Sequence, residues 1–133
     1  MTGWYKRTML RLTSAGLLCA CVMLWGLAVK ADAMRFLSVI DDLPLMAGLI
    51  EDADAALIFD GPAGRIVEAY ANGPVKAGAV SGFYAATLPQ LGWQPAADGR
   101  YQRDRETLKL EISSDPDGRS GIRVQFLLKP LDQ

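Results

Sequence analysis

The residue types that carry most nucleophilic and metal chemistry are scarce in this sequence. The chain has 133 residues, no histidine, and two cysteines, Cys19 and Cys21, which both lie in an apolar segment. Ser/His/Asp and Cys/His nucleophilic sites require a histidine, and zinc sites are built mainly from His and Cys. We therefore expect a protein that is not an enzyme and that holds no cofactor or metal.

Carboxylates are the chemistry-bearing side chains that remain. A group of them precedes and enters the first predicted strand, and it could form a hard-cation site or an acid–base pair. We favour a solvated acidic segment instead. The "SSDPDG" stretch at 113–118 is interpreted as a turn, because Val124 stands where a calcium loop needs a bidentate Glu. The carboxylates of the group are Asp41, Asp42, Glu51, Asp52, Asp54 and Asp60.

Aromatic side chains give the second candidate site. In "FYAATLPQLGW", Phe83, Tyr84 and Trp93 could line a pocket for a small apolar ligand or a lipid between helix and sheet. An aromatic stripe at helical spacing is more often part of a core. We favour the core and keep ligand binding as the alternative function.

Arginines give the third candidate. Arg100, Arg103 and Arg105 flank Tyr101 in "RYQRDRE" and could bind an anionic lipid headgroup or an acidic partner. Acidic residues interleave with them, so a solvated hairpin face is the preferred interpretation. From Met34 onward the chain carries ten Lys or Arg and fourteen Asp or Glu, a formal charge of −4, which argues against a nucleic-acid partner.

The N-terminus has the pattern of an export signal or a membrane anchor. Lys6, Arg7 and Arg11 precede eighteen uncharged residues at 12–29. Small residues at "ADA" favour cleavage after Ala33, whereas a length of roughly 27 Å favours a transmembrane helix. Both outcomes place the remainder in the periplasm. Lipidation at Cys21 is a weaker alternative, because the apolar run continues beyond it.

The elements that must position these side chains follow from periodicity. "AALIFD" at 55–60 and "RIVEAYA" at 65–71 flank "GPAG" and predict a hairpin. A stripe from Val80 to Leu91 predicts a helix over about 74–88, which Pro89 ends or kinks. Later alternation predicts about three strands, the clearest at 107–113 and 121–128.

The predicted fold class is α+β. An antiparallel sheet of about five strands, in the order ββαβββ, would carry one helix on one face. An N-terminal hydrophobic helix at 1–33 would precede it, as signal or anchor. Residues 34–52 would lead in as an extended segment with a helical turn near 44–49, and 53–133 would form the domain.

The stretches "FYAATLPQLGW", "YQRDRETLKLEI" and "IRVQFLLKP" resemble a family of small exported or membrane-anchored bacterial domains. In that family a helix ending in Phe-Tyr, then Leu and Gly-Trp, leads into a β-meander. "DDLPLMAGLIE" and "IFDGPAGRIVEAYANG" extend the likeness over residues 41 to 130. The resemblance implies an α+β domain in the cell envelope and implies no activity. We expect an accessory or interaction protein, bound to the cytoplasmic membrane through 12–29 if uncleaved.

Overall fold

The computed structural model describes residues 33–115, 118 and 121–131. The predicted hydrophobic helix at 1–33 lies outside these residues except for Ala33. Within them, no helix is both long enough and apolar enough to span a membrane.

The described strands all pair antiparallel, in two sheets. They are β1 (Arg35–Phe36), β2 (Pro44–Leu45), β3 (Ile50–Glu51), β4 (Leu57–Gly61), β5 (Gly64–Gly73), β6 (Gln94–Pro95), β7 (Arg100–Arg103), β8 (Glu106–Ser114) and β9 (Ile122–Pro130). Strands β1 and β2 form a two-stranded sheet, and the other seven described strands form the main sheet in the order β3-β5-β9-β8-β7-β6, with β4 also paired to β5. Since β9 occupies the other side of β5, β3 and β4 follow each other along one edge.

The helix α1 (Ala77–Thr87) covers one face of the main sheet. Val80, Tyr84 and Leu88 are buried against it, and the Tyr84 ring lies 5.4 Å from the Phe126 ring of β9. Pro89 cannot donate to the carbonyl four residues earlier, and the chain continues as a 3₁₀ turn over Leu88–Leu91. Gly92 ends that turn at φ 86°.

Side-chain alternation along the strands separates a buried face from an open one. Val67, Ala69 and Ala71 of β5 are buried, and their neighbours in the strand are only half-buried or exposed. The same alternation along β9 buries Val124 and Phe126. A sheet with a helix on one side only has this pattern, and it confirms the predicted α+β fold with an antiparallel sheet and one helix.

The segment before β4 differs from the prediction in one respect. Its apolar side chains do pack into the core, with Leu43 and Leu49 fully buried. Residues Pro44–Leu45 form a strand paired with Arg35–Phe36, however, and not a helical turn. Asp42, at φ 59°, reverses the chain between the two strands.

Candidate functional site

The predicted aromatic site forms part of the core. Tyr84 and Trp93 are each 1% exposed, and Phe83 is half-buried with its ring 5.0 Å from that of Tyr84. The Tyr84 hydroxyl donates a 2.9 Å hydrogen bond to the Pro44 carbonyl. A ligand at this position would have to displace packed side chains. Ligand binding at these three residues therefore remains a prediction, and their packing does not support it.

Burial also changes the acidity of Tyr84. It raises the pKa of the phenol to about 12, and the nearby Met46 backbone partly opposes the shift. The ring and its hydrogen bond attach α1 to the segment that carries β2. Tyr84 is therefore a structural link and not a free acid or base.

The predicted arginine cluster is divided between the two faces of the sheet. The Arg103 guanidinium lies 4.5 Å from the Trp93 ring and donates to the Leu91 carbonyl at 3.2 Å. Arg100 points to the opposite face, where it pairs with Asp98 at 3.0 Å. A cavity of about 310 Å³ opens beside Arg100, lined by Asp98, Arg100, Thr107, Lys109, Leu127 and Lys129.

The predicted acidic group is dispersed by the fold. The Glu51 carboxylate accepts hydrogen bonds from the backbone N–H and the hydroxyl of Ser38, and Asp52 lies 3.6 Å from the Arg123 guanidinium. Asp60 lies on β4. Among the described residues, no three His, Cys, Asp or Glu side chains are close enough together to hold a metal ion.

A polar network occupies the middle of the open face. The Tyr70 hydroxyl donates to Glu68 at 2.9 Å, and the Gln125 amide donates to the Tyr70 oxygen at 3.2 Å. The Arg123 guanidinium lies 4.5 Å from the Tyr70 ring. Partial burial and Glu68 raise the pKa of Tyr70. These groups hydrogen-bond or stack with one another, so the network orders the side chains at the middle of the open face.

The edge of the sheet beside this network is apolar, and sequence reasoning missed it as a site. Leu57, Ile58 and Phe59 are 47%, 46% and 56% exposed, although each is a large hydrophobic side chain. Leu57 and Phe59 share the open face with Ile66, which lies opposite Phe59, whereas Ile58 projects to the other face. We call Leu57, Ile58, Phe59 and Ile66 the apolar edge.

The backbone of β4 also has unused hydrogen-bonding capacity. The Tyr70 carbonyl accepts from the Asp52 N–H, so the even-numbered residues of β5 direct their backbone groups toward β3 and β4. The register of Leu57 with Glu68 and Phe59 with Ile66 then pairs the odd residues of β4 with β5. Ile58 and Asp60 consequently direct their N–H and C=O groups outward, where within the described chain they meet no further strand.

One sequence signal for this edge existed. Alternate residues of a strand point to opposite faces. Three consecutive apolar residues in an edge strand therefore leave at least one apolar side chain uncovered when a helix covers only one face of the sheet.

Comparison with protein-family models, curated proteins and solved structures gave no match. The resemblance to exported bacterial domains therefore stays a prediction, and the site rests on its geometry.

Proposed function

We propose that this protein is a non-enzymatic accessory or interaction protein of the bacterial cell envelope, and that it binds a protein partner by strand addition at β4. The apolar edge is the observation that carries this proposal. Natural proteins usually protect an edge strand with charge, proline or a covering element. Here all five residues of β4 are exposed and three of them are large and apolar.

Strand addition needs two kinds of contact, and β4 offers both. Main-chain hydrogen bonds from the outward-facing Ile58 and Asp60 would provide the pairing, while side chains on alternate faces would provide selectivity. An open edge of this kind binds an extended peptide or another strand. It does not require a pocket, a nucleophile or a metal.

The proposed location follows from the N-terminal pattern. The basic residues before the apolar run at 12–29 support export of the domain. A hydrophobic helix would precede the α+β domain, either retained as an anchor in the cytoplasmic membrane or removed by cleavage near Ala33. In both forms β4 would be displayed in the periplasm.

Site-specific photo-crosslinking in intact cells tests this function. A benzoyl-phenylalanine at Phe59 is expected to give a discrete crosslinked product in the envelope fraction. The matched control is Phe36, which is an aromatic residue of similar exposure, 51%, outside the main sheet. Products at neither position, or equal products at both, would contradict a specific interaction through β4.

A further inference from the structure

We propose that the strand which pairs with β4 is β4 of a second copy of this chain, antiparallel to the first and with Ile58 on the twofold axis. This inference rests on the proposed function of the apolar edge and names its partner. Most homo-oligomers are closed twofold dimers, in which one patch contacts itself. The patch must then be self-complementary, and β4 has this property.

The sequence of β4 pairs with itself favourably when Ile58 lies on the twofold axis. With Ile58 opposite its own copy, each Leu57 faces a Phe59 on the open face, and the two Ile58 side chains meet on the other face. Asp60 then lies opposite Ala56, whose φ of −66° and ψ of 139° are already extended and whose own N–H already donates to the Ala53 carbonyl. Apolar residues thus face apolar residues, and no like charges are opposed.

The neighbouring registers are less favourable. A shift that places Asp60 opposite Asp60 opposes two carboxylates, which destabilises a strand pair. A shift that places Phe59 opposite Phe59 sets each Ile58 against the carboxylate of Asp60. Registers that pair an even residue of one β4 with an odd residue of the other are excluded. Only the even residues of β4 direct their N–H and C=O groups outward, so an odd residue has no group to offer.

The rest of the fold permits this dimer. The twofold axis is perpendicular to the sheet, so both α1 helices lie on one side of the joined sheet. Since α1 packs on Phe126 of β9, it covers the interior of the sheet and leaves β4 accessible. The two open faces become continuous, and the apolar edges of both copies lie at their junction.

The expected affinity is low for free chains. Three side chains that are about half-exposed on each copy bury far less area than the roughly 1,200–2,000 Å² of a stable interface. Confinement to a membrane raises the effective concentration of such a weak pair, so we expect the dimer in membranes when the 12–29 segment is retained.

Disulfide trapping tests the register directly. The full chain, with Cys19 and Cys21 changed to alanine, carries Ile58→Cys and is oxidised in native membranes. Opposite residues of a hydrogen-bonded pair lie about 5.5 Å apart between Cα atoms, within the range that a disulfide bridges. In the proposed register Phe59→Cys residues are offset by two positions and lie beyond about 7 Å, which prevents bridging.

We expect an Ile58→Cys dimer that exceeds the Phe59→Cys and Phe36→Cys products several-fold. No Ile58→Cys dimer, equal yields at the three positions, or a dominant Phe59→Cys product would overturn the proposal. Should Phe59 photo-crosslink to a different protein while Ile58→Cys gives no dimer, the proposed function would stand and the second copy would be the wrong partner.

Energy transfer between donor-labelled and acceptor-labelled full chains in vesicles provides a second readout. Phe59→Lys places a charge in the centre of the contact, and we expect energy transfer to fall to the level of random mixing. Phe36→Lys introduces the same change at a matched exposed residue and should leave it unchanged. Equal energy transfer in the two variants would overturn the proposal.

Discussion

Tyr84 shows how a single side chain connects distant parts of this small domain. Its ring contacts Phe126 of β9, and its hydroxyl bonds the Pro44 carbonyl forty residues earlier in the chain. A buried hydroxyl of this kind is costly to remove, because a buried carbonyl that loses its donor costs about 1–3 kcal/mol. Tyr84 therefore holds the N-terminal segment onto the helical layer.

Tyr84→Phe should lower the free energy of unfolding by about 1–2 kcal/mol at pH 8. The pKa of Tyr84 is about 12 in the folded protein and about 10 unfolded. Its contribution is therefore fully present below pH 10 and is lost as the pH rises toward 12. Urea unfolding from pH 8 to 11.5 should show a steeper loss of stability in the wild type than in Tyr84→Phe.

Tyr70→Phe is the matched control for this prediction. Its hydroxyl lies on the open face, where water can replace the lost hydrogen bonds, so we expect a smaller loss of stability at pH 8. Because the pKa of Tyr70 is also raised, its removal should reduce the pH dependence above pH 10 as well, but less than Tyr84→Phe does. Parallel pH curves for the wild type and Tyr84→Phe would refute the role assigned to the buried phenol.

At the scale of elements, the close contact between β5 and the turn before β3 depends on a glycine. A Cβ atom at Gly73 would lie 2.1 Å from the Gly48 carbonyl oxygen. No side chain fits this gap unless the backbone moves. By contrast, a Cβ atom at Gly78, in α1, would have open space around it.

The same substitution should consequently have opposite effects at these two glycines. Gly73→Ala is expected to destabilise the domain by about 3 kcal/mol or more, since it forces two backbone segments apart. Gly78→Ala should stabilise it by about 0.5–1 kcal/mol, because alanine favours the helix. Thermal and urea unfolding of both variants measure the difference, and a loss of stability in both would contradict the described packing.

Periodicity predicted the elements that are long enough to have a period. Strands β8 and β9 alternate because one of their faces is wet, and α1 repeats its apolar residues at helical spacing. The two-residue strands carry no such signal. Ile50–Glu51 is a strand only because it pairs with Asn72 and Ala71 of β5, a contact between residues about twenty positions apart that no local pattern encodes.

The candidate site was predictable only in part. The run Leu57–Phe59 indicated a strand, but its exposure depends on which face α1 covers and on the absence, within the described chain, of another strand beside β4. Aromatic residues such as Tyr84 and Trp93 give the same sequence pattern whether they line a ligand pocket or fill a core. Packing around them, which depends on the whole chain, decides between the two.

The described domain is a sheet with one covered face, one polar open face and one apolar edge. The covered face explains the stability of the fold, and the polar network keeps the open face soluble. The apolar edge contacts no further strand within the described chain. The central claim is that β4 is used to bind another strand in the cell envelope.

Amide hydrogen exchange across β4 tests this claim most directly, with the full chain in native membranes. Leu57 and Phe59 donate to β5 and should be protected in every state, whereas Ile58 and Asp60 point outward. Strand addition predicts slow exchange at all four amides, with fast exchange restored at Ile58 and Asp60 alone in Phe59→Lys. Fast exchange of Ile58 and Asp60 in the wild-type protein beside protected Leu57 and Phe59 would contradict the account.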